Sequence, residues 1–219
     1  MKYYIYIIIF VLGSLSAHAQ IGYQLDLTRH TIVQKNTPNG LIPKVDLKGY
    51  GALFGSQYWF RLKNYRLEFI PGAHIGAFFN NDPDFKDYDV KDIYFMMDVP
   101  ALIYPLMFKE DCNCPTFKKA GNLLEKGFHL IAQAGFSLNF RNITHDSVST
   151  SKTTFTPVLG FGAGIDIGIN KTLTLTPFVL YTAFFSDYFG RTDFDRIDIN
   201  HHSLNAGLRL RIYKAKSKF

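Results

Sequence analysis

From Phe128 to Arg141 the chain alternates between apolar and polar residues almost without a break. Phe128, Leu130, Ala132, Ala134, Phe136, Leu138 and Phe140 are apolar, and His129, Gln133, Gly135, Ser137, Asn139 and Arg141 lie between them, with Ile131 the one exception. Period two is the mark of a β-strand with two unlike faces. A half-buried strand of a soluble protein usually sustains it for about 4–8 residues, and this run is longer. Roughly 9–11 tilted residues cross a bilayer. One oily face, with the other small and polar, suits a barrel wall with lipid outside.

The N-terminus gives the compartment. Lys2 supplies a positive start, Tyr3–Leu15 is almost wholly apolar, and Ala17-His18-Ala19 supplies small residues around a cleavage point. This is the pattern of a secretory signal peptide. The apolar run is shorter than the ~20 residues of a spanning helix. Residues 1–19 are therefore expected to be removed, leaving residues 20–219 as one domain. The net charge of +6 is spread along the chain. Without a compact Lys/Arg cluster, and with an export signal, nucleic acid is not an expected partner. The basic excess could favour anionic lipid headgroups.

Seven further segments share the two-faced pattern. They lie near Ile21–His30, Asp46–Leu62, Arg66–Phe79, Asp92–Phe108, Thr154–Ile169, Thr172–Phe185 and His202–Tyr213. Pro100 and Pro105 interrupt the fourth in chain order, and proline inside a strand argues for a bulge or a weakly paired edge. Lys63-Asn64 and Asn170-Lys171 read as tight turns. Longer polar links follow the odd-numbered segments: Thr31–Val45, Asn80–Lys91, Asn142–Thr153 and Ser186–His201. An even strand number, short periplasmic turns and long external loops predict an all-β fold, an eight-stranded antiparallel up-and-down transmembrane β-barrel. The long link Lys109–Lys126 is the exception, since it falls on the periplasmic side. In a soluble barrel or sandwich the Gly, Thr, Ser, Asp and Arg of the polar face could not form an oily core. The Phe/Leu/Ile face would then be an apolar patch far beyond what soluble monomers expose.

With its strand number, glycine-rich inward faces and a last strand alternating outward Leu204, Leu208, Leu210 and Ile212, the mature chain resembles the small outer-membrane barrels of the OmpX and OmpA-transmembrane type. More narrowly, it resembles the PorT-like barrels of Bacteroidota. The resemblance implies the cell outer membrane as location and a non-enzymatic accessory role in a secretion or membrane-assembly machine.

An eight-stranded barrel is about wide enough for side chains to fill. Glu68, His74, Asp98, His129, Arg141, Asp166, Arg209 and Arg211, with Asp26 and Arg61, are expected to point inward as a network of paired charges. The alternative is a narrow channel. Cys112-Asn113-Cys114 can form a local disulfide, stay as two thiols or link to a partner, and the cell envelope permits disulfides. Two thiolates alone lack the remaining ligands of a zinc site, so no metal or other cofactor is expected. His201-His202-Ser203 has the His-x-Ser spacing of a lipid-modifying barrel enzyme, but no acid follows Ser203 to complete a triad, which would need an acid from elsewhere, such as Asp198. No catalytic residue is assigned. The five aspartates of Asn80–Asp92 lack the spacing of an EF-hand. Expected partners are outer-membrane lipid and an envelope protein, met through Lys109–Lys126 or the external loops.

Overall fold

The computed structural model describes residues 20–34, 45–62, 67–80, 88–105, 127–145, 148–170, 172–185 and 199–212. The predicted signal peptide, Cys112, Cys114 and the whole of the link Lys109–Lys126 lie outside them. Ten strands are formed: β1 (Gln20–Gln34), β2 (Val45–Arg61), β3 (Leu67–Phe69), β4 (Gly72–Asn80), β5 (Tyr88–Ile103), β6 (Phe128–His145), β7 (Val148–Ile165), β8 (Ile167–Asn170), β9 (Leu173–Phe184) and β10 (Ile199–Ile212). β3 with β4, and β7 with β8, each make one interrupted wall, so the ten strands build eight walls. All pairings are antiparallel, and β1 pairs with both β2 and β10. The sheet is closed and has no free edge.

The register fixes the barrel's stagger. From Leu27 the cross-strand partners run through Ala52, Ala77 and Ile93 to Phe140 on β6. In the other direction they run through Ala206, Val179 and Ala163 to Leu130 on the same strand. The two routes meet β6 ten residues apart. A stagger of this kind tilts the strands of a closed barrel.

Prolines explain the two interrupted walls. β3 and β4 part at Ile70-Pro71, opposite Pro100 on β5, and the Ile70 amide donates to the Pro100 carbonyl at 2.9 Å. β7 and β8 part at Asp166, directly after Ile165, which the register sets opposite Pro177 on β9. A proline has no N–H for the ladder, and in each case the neighbouring wall is broken where that donor is missing. Pro100 therefore does not interrupt its own strand, contrary to the sequence reading. β5 pairs with β6 without a gap from Tyr88 to Ile103, Pro100 facing Gln133. Only Pro105 lies beyond its end.

A second correction concerns the link Asn142–Thr153. β6 and β7 stay paired up to His145 and Val148, leaving only residues 146 and 147 between them. The segment is rich in Thr, Val, Ile and Ser, and β-branched residues suit a pleated ladder. β5 likewise begins at Tyr88, inside the predicted loop Asn80–Lys91, and β1 continues to Gln34.

Outward side chains are apolar throughout the middle of the wall: Leu27, Phe54, Ile75, Leu159, Val179 and Leu208 are all exposed. Towards the upper end, opposite the start of β1 and the end of β10, this band carries Tyr50, Phe79, Phe140, Phe155 and Phe185. At the lower end, where β1 begins and β10 ends, Phe60 stacks on Phe69 with ring centroids 5.4 Å apart and lies 6.5 Å from the Tyr58 ring. An apolar band with aromatic rings gathered towards both ends is the lipid-facing surface of an outer-membrane barrel. No described helix is long and apolar enough to cross a membrane, and the crossing is made by strands.

Candidate functional site

The barrel interior holds the chain's concentrated polar chemistry. Every described carboxylate whose surroundings are defined points into it: Asp26, Glu68, Asp92, Asp98 and Asp166 are all buried. Arg209 and Arg211 are the largest fully buried side chains, only 1% and 2% exposed. Unpaired buried charge is strongly unfavourable, so these groups are expected to meet one another. They do so in three layers.

The lowest layer is built around Arg211 on β10. Its Nη1 donates to Glu68 Oε2 at 3.2 Å and its Nη2 to Thr176 Oγ1 at 3.1 Å, and it forms an ion pair with Asp166. Trp59 Nε1 donates to Glu68 at 2.7 Å and Thr176 Oγ1 to Asp166 Oδ1 at 2.6 Å. The Tyr104 hydroxyl lies 3.0 Å from Glu68 Oε2 and 2.8 Å from Asp166 Oδ2. His129 lies 3.8 Å from Asp166. Four predicted residues, Glu68, His129, Asp166 and Arg211, thus come together here, with β10 supplying the cation and the two broken walls the carboxylates. Asp166 is itself the residue at which one wall breaks.

The middle layer centres on Gln24. Its Oε1 accepts from Arg209 Nε and Nη2 at 3.2 and 3.0 Å and from Gln57 at 2.6 Å, while its amide donates to Asp26 at 2.7 Å. Arg209 also lies over the Phe178 ring, 4.9 Å from its centroid. His74 and Asp98 pair at 3.1 Å, and Gln133 donates to the same carboxylate. Arg209 is thus held by an amide oxygen and an aromatic face, a pairing that charge counting does not find.

In the upper layer Arg141 donates to Asp92 through Nε and Nη2 at 3.0 and 2.8 Å. Arg141 is only half-buried, apart from the other seven predicted network residues. Asp92, one of the five aspartates of Asn80–Asp92, is thereby bound to an arginine. His30 Nδ1 lies 2.8 Å from His201 Nε2, and His201 stacks on Phe184. His201 and Ser203 both face inward, His202 outward. No carboxylate is bonded to His201 among the described residues, and Asp198 lies outside them. The described residues contain no group of three potential metal ligands.

The interior is not polar throughout, which corrects the expectation that this face holds no oily core. Leu53, Phe78, Tyr94, Met96, Val158 and Phe184 pack as one buried cluster. Ile70, Leu102, Tyr104, Ile131, Phe178 and Leu180 form a second, with Trp59 against it. Ile131, the single apolar intruder in the alternation of Phe128–Arg141, belongs to this cluster. Inward glycines make the room. A Cβ on Gly76 would meet the Tyr94 ring, one on Gly55 the His74 ring, and one on Gly49 the Phe78 ring. Each glycine faces a bulky inward side chain on the neighbouring strand.

No family model and no curated protein matches the sequence. Solved structures that align with the chain include small outer-membrane barrels. Neisserial surface protein A aligns over 89% of this chain and 97% of its own, at 15% identity and a TM-score of 0.47. Ail, the attachment invasion locus protein of Yersinia pestis, aligns over 89% and 99%, at 9% identity and a TM-score of 0.49. CarO2 of Acinetobacter baumannii aligns over 87% and 99%, at 10% identity and a TM-score of 0.41. All three TM-scores fall below 0.5, and neither fold nor role is taken from these likenesses.

Proposed function

We propose that the chain is a non-enzymatic outer-membrane barrel that serves as a structural or accessory subunit and contacts other envelope proteins at its ends. The observation that carries this reading is the filled interior. Three layers of paired polar groups and two apolar clusters occupy the described lumen, which leaves a wall with no evident reaction centre. The resemblance to PorT-like barrels favours a place in a secretion or membrane-assembly machine. In this reading residues 1–19 are cleaved, and the end bearing the termini faces the periplasm. Partner contacts then fall to Lys109–Lys126 on the periplasmic side or to the external links.

A channel would require a continuous path for water past the Arg211, Arg209 and His30–His201 layers, and planar-bilayer recordings of the purified protein should be silent. Affinity purification from native membranes in mild detergent tests the main reading. A stoichiometric envelope protein should copurify, and should be lost when Lys109–Lys126 or an external link is replaced. Recovery of the barrel alone, with steady single-channel conductance, would replace the accessory reading by the channel.

A further inference from the structure

His30 and His201 differ from the other described histidines of the lumen. His74 pairs with Asp98, and His129 lies beside Asp166. His30 and His201 are instead bonded to each other, His30 Nδ1 lying 2.8 Å from His201 Nε2. His30 Nε2 meets the Thr28 hydroxyl at 2.9 Å. Neither ring is bonded to a carboxylate among the described residues.

The pair spans the seam that closes the barrel. On the ladder between β1 and β10, His30 faces Ser203 and His201 faces Ile32. Aromatic rings enclose it. Phe78 and Tyr94 lie 4.8 and 6.0 Å from His30, and Phe184 stacks on His201 at 4.2 Å. The charged groups acting on the pair are Arg141 on β6, held by Asp92 of β5, and His202 next to His201 on β10. Tyr94 is the other titratable group of β5 at this level. β2, β4, β7 and β9 contribute Leu53, Phe78, Val158 and Phe184, none of them titratable.

We propose that the His30–His201 bond is an acid-released latch on the upper end of the lumen. A neutral pair keeps one N–H between the rings. One added proton is still shared, because the partner nitrogen keeps its lone pair. With an added proton on each ring, both facing nitrogens carry N–H and no acceptor remains between them. Two positive charges then meet in a site that already holds Arg141, and the rings part. Because they join the first strand to the last, their parting loosens the upper β1–β10 seam and uncovers the aromatic cluster. His201, 7% exposed against 1% for His30, is the ring through which protons enter. The Arg209 and Arg211 layers lie below and stay closed, so the opened cup is a pocket and not a pore.

The closed latch holds at most one extra proton, and the open one holds two. Below the ordinary imidazole range, about pH 6.5, each unit of falling pH therefore favours opening about tenfold. Backbone hydrogen exchange tests this, followed by NMR on the folded barrel in lipid nanodiscs and corrected for intrinsic rates. Opening of the upper seam, Thr28–Ile32 with His201–Asn205, should rise about tenfold per pH unit between about pH 6 and pH 4. The lower seam, Tyr23–Leu25 with Leu208–Leu210, should stay flat. The nitrogen–nitrogen coupling between His30 Nδ1 and His201 Nε2 should be present near neutrality and lost over the same range. In His201→Gln the amide can donate or accept, so closed and open states take up the same number of protons and the pH dependence should vanish. Flat exchange of the wild-type upper seam down to about pH 4 overturns the latch without recourse to any variant. So does an equal rise in the lower seam, which is acid loosening of the whole barrel. A rise that persists in His201→Gln overturns it as well, and assigns the proton to Asp92 and its pair with Arg141.

Discussion

Replacing Arg211 by Met should destabilise the barrel by about 3–5 kcal/mol, the cost of leaving a buried ion pair with one partner. Glu68 and Asp166 share this guanidinium. Without it, two buried carboxylates face one another around the Tyr104 hydroxyl, in a layer that joins β10 to both interrupted walls. The same change at Arg141, whose side chain is 24% exposed, should cost less, since a single carboxylate, Asp92, loses its partner there rather than two. Urea titration of the purified barrel in bilayers, with the folded fraction read by gel mobility, compares the two. Neutralising the whole group, Arg211→Met with Glu68→Gln and Asp166→Asn, should recover most of the loss, because no charge is then left unpaired. A cost for Arg211→Met no larger than for Arg141→Met would mean that the lower layer does not hold the walls together.

The second large effect is on the opposite face. Leu159, 54% exposed in the middle of the outer wall, should be intolerant of charge. Leu159→Arg is expected to cost about 2–4 kcal/mol in a bilayer, the penalty for a cation near the midplane of a lipid-facing strand. On the surface of a soluble protein the same change would fall within about ±0.5 kcal/mol. Solvent exposure and tolerance of charge therefore point in opposite directions at this residue. Equilibrium unfolding from lipid vesicles measures the difference, and a neutral Leu159→Arg would remove lipid from this wall.

The eight walls were legible because each strand repeats one simple rule. Phe128–Arg141 alternates, so a single inward residue orients all the others. Asp26, Glu68, His74, Asp98, His129, Asp166, Arg209 and Arg211 were placed on one face by parity alone. What parity cannot supply is height along the barrel axis, which depends on stagger between strands distant in sequence. The grouping of Glu68, Asp166 and Arg211, and of Gln24 with Arg209, therefore needed the register. The glycines misled for a related reason. Gly49, Gly55 and Gly76 look like open space in the sequence, yet each accommodates Phe78, His74 or Tyr94 from the adjacent strand, and so an inward face rich in glycine still holds a packed apolar core. Pro100 misled because its cost fell on the wall beside it: the missing amide is matched by the break at Ile70-Pro71 in the neighbouring strand.

The central claim is that one face of each wall meets lipid while the other is sealed inside. Nitroxide labels placed singly from Leu130 to Phe140 on β6, in a Cys112→Ser/Cys114→Ser background and reconstituted into bilayers, test it most directly. Labels at Leu130, Phe136, Leu138 and Phe140 should be relaxed by dissolved oxygen and shielded from a water-soluble nickel chelate. Those at Gln133, Ser137 and Asn139 should be reached by neither, giving a period of two. Access of the nickel chelate to the Phe136–Phe140 face, or the loss of alternation between neighbouring positions, would contradict the account.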